Sequence, residues 1–158
     1  MWALFGLLYL LVMLMQTTIF GRVRFFGVKL DLMPVVIVCI ALHVGHEAGG
    51  LFGLIAGFVW HAAGADDGIL AMVTFTVLGI LSGWLCDNLF SRRIWSALLM
   101  SLGALLCHEL AVFVLKFYLG GAAGALLPWA LLTTILSLPA CPVIYLLAKA
   151  IRKAGGVQ

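Results

Sequence analysis

Charge is what this sequence lacks most. Of 158 residues, nine are Lys or Arg and six are Asp or Glu, so charged residues make up 9% against 65% hydrophobic. Soluble domains carry roughly 25% charged and about 45–50% apolar residues. Such a small polar complement cannot cover the core of a water-soluble domain, and the mean hydropathy of +1.24 points the same way. The bilayer has to be the solvent. Other absences narrow the function. No basic face with interleaved aromatics is present, which excludes a nucleic-acid surface. There is no nucleotide loop, no Ser/His/Asp set and no nucleophile elbow, and Asp66 and Asp67 are adjacent rather than placed for acid/base work. An enzyme is therefore not expected. The four cysteines, Cys39, Cys86, Cys107 and Cys141, lie in or beside apolar runs at no metal-ligand spacing, as small hydrophobes packed between helices do. No cofactor or resident metal is expected.

What the sequence has is long apolar runs. A helix needs about 20 residues to cross a hydrocarbon core of roughly 30 Å. Six runs qualify or nearly do, at 2–20, 30–47, 48–64, 69–86, 94–118 and 127–148. Strands of a membrane barrel alternate polar and apolar residues over about ten positions. These runs are apolar throughout, so the expected fold is an all-α polytopic bundle of six transmembrane helices in a single domain. The first run lacks a basic leader and a cleavage site and reads as an uncleaved span. Pro34 sits in the first turn of the second helix, where a missing N–H does no harm, whereas Pro139 and Pro142 should kink the sixth. The shared boundary of the second and third runs, at His46–Gly50, leaves open a re-entrant pair and four full crossings.

Basic residues mark the ends of these runs. Arg92, Arg93, Lys149, Arg152 and Lys153 fall on one side of a six-span topology, and Arg22, Arg24, Lys29 and Lys116 on the other. The slight excess on the first side favours cytoplasmic termini. Trp2, Trp60, Trp84, Trp95 and Trp129 lie mostly near run ends, as an interfacial aromatic belt requires.

Glycine spacing is the clearest internal pattern. Gly50, Gly53 and Gly57 share one face of the third helix, and Gly79 and Gly83 repeat the four-residue step in the fourth. Small residues so spaced let backbones approach closely, either within the chain or against a partner's helix. His108 and Glu109 fall mid-helix, at a depth where a charge costs at least ~2.5–3.5 kcal/mol. They suit either a proton relay or polar pocket, or an internal pair such as Glu109 with His43 or His61. His43, His46 and Glu47 form H-x-x-H-E, which on one continuous helix would bring three metal-capable groups together; interfacial histidines at a helix end are the ordinary explanation.

The order of these features resembles the rod shape-determining MreD family. The resemblance rests on Asp31-Leu32-Met33-Pro34 ahead of the second run, the glycine ladder Gly53 to Gly57, and Gly68-Ile69-Leu70-Ala71 through Gly79 and Gly83. Pro142 to Tyr145 and the basic tail Lys149 to Lys153 complete it. The family often places an aspartate at the end of the ladder, where this chain has His61. The resemblance implies a non-enzymatic, multi-pass subunit of the bacterial inner membrane. It would bind an MreC-like bitopic protein and the cell-wall synthesis machinery among membrane lipids, with no nucleic acid and no small-molecule ligand. A substrate-binding S component of an energy-coupling-factor vitamin transporter has a similar six-helix architecture. It usually carries alanines four apart in its first span, which Ala3-Leu4-Phe5-Gly6-Leu7 does not provide. A third class is an intramembrane enzyme or proton-coupled carrier using Glu109.

Overall fold

The computed structural model describes residues 2–20, 30–64, 68–89, 93–118 and 126–154. The cations Arg22, Arg24, Lys29 and Arg92, the Asp66–Asp67 pair and the Gly120–Gly124 stretch lie outside them. The described elements are all helical: α1 (Trp2–Met15) with a π-helical turn at Gln16–Phe20, α2 (Met33–Val44), α3 (His46–Ala62), α4 (Gly68–Asn88), α5 (Ile94–Tyr118), α6 (Leu126–Ser137) and α7 (Cys141–Ala154). Helices close their own backbone hydrogen bonds, which hydrocarbon demands of any spanning segment.

Four stretches are long and apolar enough to cross a membrane: Trp2–Ile19, Ile69–Asn88, Ile94–Tyr118 and Ala130–Ala154. The last joins α6 to α7 through a 3₁₀ turn at Leu138–Ala140. Pro139 and Pro142 cannot donate to the carbonyls four residues back, so the helix loosens there. It also runs past the expected end at residue 148, carrying Lys149, Arg152 and Lys153 on its final turns.

The second run is shorter than the sequence suggested, and the third keeps its length of 17 residues but starts two residues earlier. Gly45 adopts φ +91, a backbone conformation that side chains resist, and separates α2 from α3. At 1.5 Å per residue, α2 is ~18 Å long and α3 ~25 Å, against a hydrocarbon thickness of roughly 30 Å.

α2 forms the axis of the bundle. Its residues from Met33 to Leu42 are each less than 2% exposed, and α1, α3, α4, α5 and α7 all pack on it. Val35, Val36, Ile37, Val38 and Ile40 supply branched side chains that fill the centre. The outside is apolar as well: Leu7, Leu14, Phe58, Ile69, Leu99, Leu110 and Ile135 are all exposed. A surface of that kind is expected of a membrane protein and not of a soluble monomer.

α1 is tied to α3 by Tyr9, whose ring meets Phe52 edge-on at 5.9 Å and whose hydroxyl donates to the Ala56 carbonyl at 2.7 Å. Tyr9→Phe keeps the ring contact and loses the hydrogen bond, so thermal unfolding in detergent should report a loss of about 1 kcal/mol. An unchanged melting temperature would mean that ring packing alone holds α1 on α3.

Candidate functional site

Two constellations emerge from the fold: a glycine seam between α3 and α4, and a buried polar cluster where five helical segments converge.

The seam is antiparallel. A Cβ built on Gly83 would lie 2.5 Å from the His46 Cα, and one on Gly57 would lie 2.5 Å from the Met72 Cα. Between them, a Cβ on Gly79 would run into the Gly49 carbonyl, and one on Gly53 into the Phe75 carbonyl. Gly50 differs, because its added Cβ would meet only the Ile80 side chain, at 2.5 Å from Cγ1. The two helices therefore touch backbone to backbone over four successive rungs. The glycine face, which the sequence left open to packing within the chain or against a partner's helix, is engaged inside the chain.

The polar cluster is built around the start of α2. Asp31 Oδ1 accepts the Met33 N–H at 3.2 Å, and the Asp31 N–H donates to Ser137 Oγ at 2.9 Å. Gln16 turns inward from the π-helical turn, donating to the Leu30 carbonyl at 2.8 Å and accepting from the Leu32 N–H at 3.0 Å. These bonds satisfy donors that a helix start otherwise leaves open, which matters most where no water is at hand. A π-turn is a recurrent way to redirect a side chain at a functional position. Its neighbours Thr17 and Thr18 bond back to carbonyls of their own helix.

His108 of α5 completes the cluster. Its Nε2 lies 3.5 Å from Asp31 Oδ2, and its Nδ1 lies 3.2 Å from Thr74 Oγ1 on α4. The His108 side chain is 3% exposed and the Asp31 side chain 18%, and the Phe75 ring lies 5.4 Å from the imidazole. The order carboxylate, imidazole, hydroxyl is that of a nucleophilic triad. Yet Thr74 Oγ1 also donates to the Leu70 carbonyl at 2.9 Å, a back-bond usual for helical threonine. A hydroxyl whose proton is committed there accepts from His108 and orients it. The arrangement joins α2, α4, α5 and α6, with Gln16 bringing in α1.

His108 was visible in the sequence as a polar residue at depth. Asp31, Gln16, Thr74 and Ser137 were not assigned to it. The available signal was the carboxylate of Asp31-Leu32-Met33-Pro34, since an acid just ahead of an apolar helix tends to bond its first N–H groups. Glu109, the next residue on α5, is half-buried.

The H-x-x-H-E pattern is taken apart by the break at Gly45. His43 ends α2 inside the bundle, its Nδ1 2.7 Å from the Cys39 carbonyl and its ring 5.2 Å from that of Tyr145. His46 and Glu47 begin α3 and are exposed, and His46 Nδ1 lies 3.4 Å from Asp87 Oδ2. The three groups are not on one continuous helix as the metal-site reading required. Among the described residues no group of three metal-capable side chains converges. His61 is exposed near the end of α3.

Cys39, Cys86 and Cys141 are buried and Cys107 is exposed. Cys86 Sγ donates to the Leu42 carbonyl at 3.7 Å, and Ser101 Oγ lies 3.3 Å from Cys141 Sγ. Trp2, Trp84 and Trp95 face outward and Trp60 is half-buried; the Trp129 side chain lies outside the described residues. In comparisons with known proteins, no family model, no curated protein and no solved structure matches this chain.

Proposed function

We propose that this chain is a non-enzymatic, multi-pass subunit of a bacterial cell-elongation complex in the inner membrane, similar to MreD. In this reading it binds an MreC-like bitopic protein and supports peptidoglycan synthesis and cell shape through contacts between membrane helices. The observation that best supports it is the use to which polar chemistry is put. Asp31 of Asp31-Leu32-Met33-Pro34, on which the family resemblance partly rests, is bonded to Met33, Ser137 and His108. Those bonds hold helices together, as a scaffold requires, and leave an apolar exterior for other helices.

In this reading α2 and α3 each cross the membrane, giving six crossings with both termini in the cytoplasm. The short α2 is accommodated because protein surrounds it, and local thinning accommodates α3. The partner's helix lies on an outward face such as Leu7, Leu11 and Leu14 of α1, which are exposed, because the glycine seam is internal.

Affinity purification from bacterial membranes in mild detergent tests the assignment. A bitopic protein with a periplasmic coiled coil should copurify, and Leu7→Trp combined with Leu11→Trp should reduce its recovery severalfold without lowering the melting temperature. Recovery of a tightly held vitamin on denaturation, with no such protein, would overturn the scaffold in favour of the S component.

A further inference from the structure

We infer that the outer groove between α3 and α4 holds one phosphatidylethanolamine molecule, its ammonium on Glu47 and an acyl chain along Leu51, Leu54 and Ile80. The groove is about 400 Å³ and is lined by these residues together with His46, Gly50 and Thr76. Leu51, Leu54 and Ile80 are exposed on the outside of the helix pair, so the groove opens toward lipid.

Glu47 supplies a charge at the rim of a groove whose own wall is apolar. It is exposed in the first turn of α3, and it makes no hydrogen bond or ion pair with any described residue. His46 beside it is already paired with Asp87 at 3.4 Å, so among the described residues that pair leaves the Glu47 charge without a partner. The end of α4 at Asp87 and Asn88 lies alongside the start of α3, which sets Glu47 at the level where helix ends meet headgroups. A carboxylate with no partner among the described residues, at the mouth of an apolar groove, suits a cation that brings its own apolar tail. Ethanolamine phospholipid offers an ammonium with three N–H donors. A phosphatidylglycerol headgroup would meet the carboxylate with like charge, and a choline headgroup has no N–H to donate. The Thr76 hydroxyl donates to the Met72 carbonyl at 2.7 Å, so its proton is committed within α4 and is not offered to a headgroup.

This inference needs only that the helix pair face lipid, and it stands or falls independently of the elongation-complex assignment. The test is native mass spectrometry of the purified full chain after exchange against equal amounts of phosphatidylethanolamine, phosphatidylcholine and phosphatidylglycerol. The wild-type protein should retain one phosphatidylethanolamine at roughly tenfold over either competitor, the discrimination expected of one charge-assisted hydrogen bond. Glu47→Gln should lose that preference, and Leu54→Trp, which fills the groove, should retain no lipid. Both positions are exposed, so both variants should melt with the wild type. Equal retention of the three lipids, a preference for phosphatidylglycerol, or a Glu47→Gln variant indistinguishable from wild type would each overturn the inference. So would cross-linking of Glu47 to a lysine of a copurifying membrane protein in place of lipid.

Discussion

Leucine at Gly53 is expected to destabilise the bundle by roughly 3 kcal/mol or more, the upper range of overpacking. The reason is the identity of what it would strike. A Cβ at that position runs into the Phe75 carbonyl and lies 3.1 Å from the Thr76 Cα; these are backbone atoms, and no rotamer change moves them aside. Gly79 is equivalent from the other side, since its Cβ would meet the Gly49 carbonyl. Gly50→Ala should be milder, because only the flexible end of Ile80 has to shift. Gly103 provides the control: nothing lies within 4 Å of its Cβ position, and Gly103→Ala in the middle of α5 should be stabilising by up to about 1 kcal/mol. Thermal unfolding in one detergent would rank the series. Equal melting temperatures for Gly53→Leu and Gly103→Ala would refute the backbone-contact seam.

Removal of the His108 imidazole should have an effect of comparable size. His108→Ala removes the group 3.5 Å from the Asp31 carboxylate inside the bundle, and leaving a buried polar group short of a partner costs about 1–3 kcal/mol. It also opens a void beside Phe75. Asp31→Asn should cost less. Its amide oxygen can still accept from Met33 N–H, and no charge is stranded. The informative measurement is the double variant. If the two groups act as a pair, His108→Ala should be at least about 1 kcal/mol less harmful in the Asp31→Asn background than alone. Additive losses would mean that each residue is held by its other neighbours, Thr74 for His108 and Gln16 and Ser137 for Asp31.

These two sets of residues were unequally visible in the sequence. The glycines could be read because the property that matters, small size every three or four residues, is local and periodic. What periodicity could not supply was the identity of the facing surface, which turned out to be the chain's own α4. The break between the second and third runs was expected slightly late, at His46–Gly50, because several glycines there could each end a helix; that Gly45 does so, with φ +91, is a tertiary fact. The Asp31 cluster was hidden for another reason. Its hydrogen bonds join residues as far apart as 106 positions, from Asp31 to Ser137, and only the packing of α2 against α5 and α7 brings them within reach. Depth alone singled out His108, whereas Gln16 became part of the site through a π-turn that its sequence does not announce.

The enclosed second helix constrains how the molecule can be assembled. Twelve residues are too few to bridge the hydrocarbon alone, and the neighbours that shelter Met33 to Leu42 include α5 and α7, which the ribosome makes later. Full burial of α2 therefore comes only once the C-terminal helices have been made. α7 then closes over Cys39 and His43, through Cys141 and Tyr145. A chain ending before Cys141 would leave Cys39 and His43 uncovered on the flank that Cys141 and Tyr145 occupy.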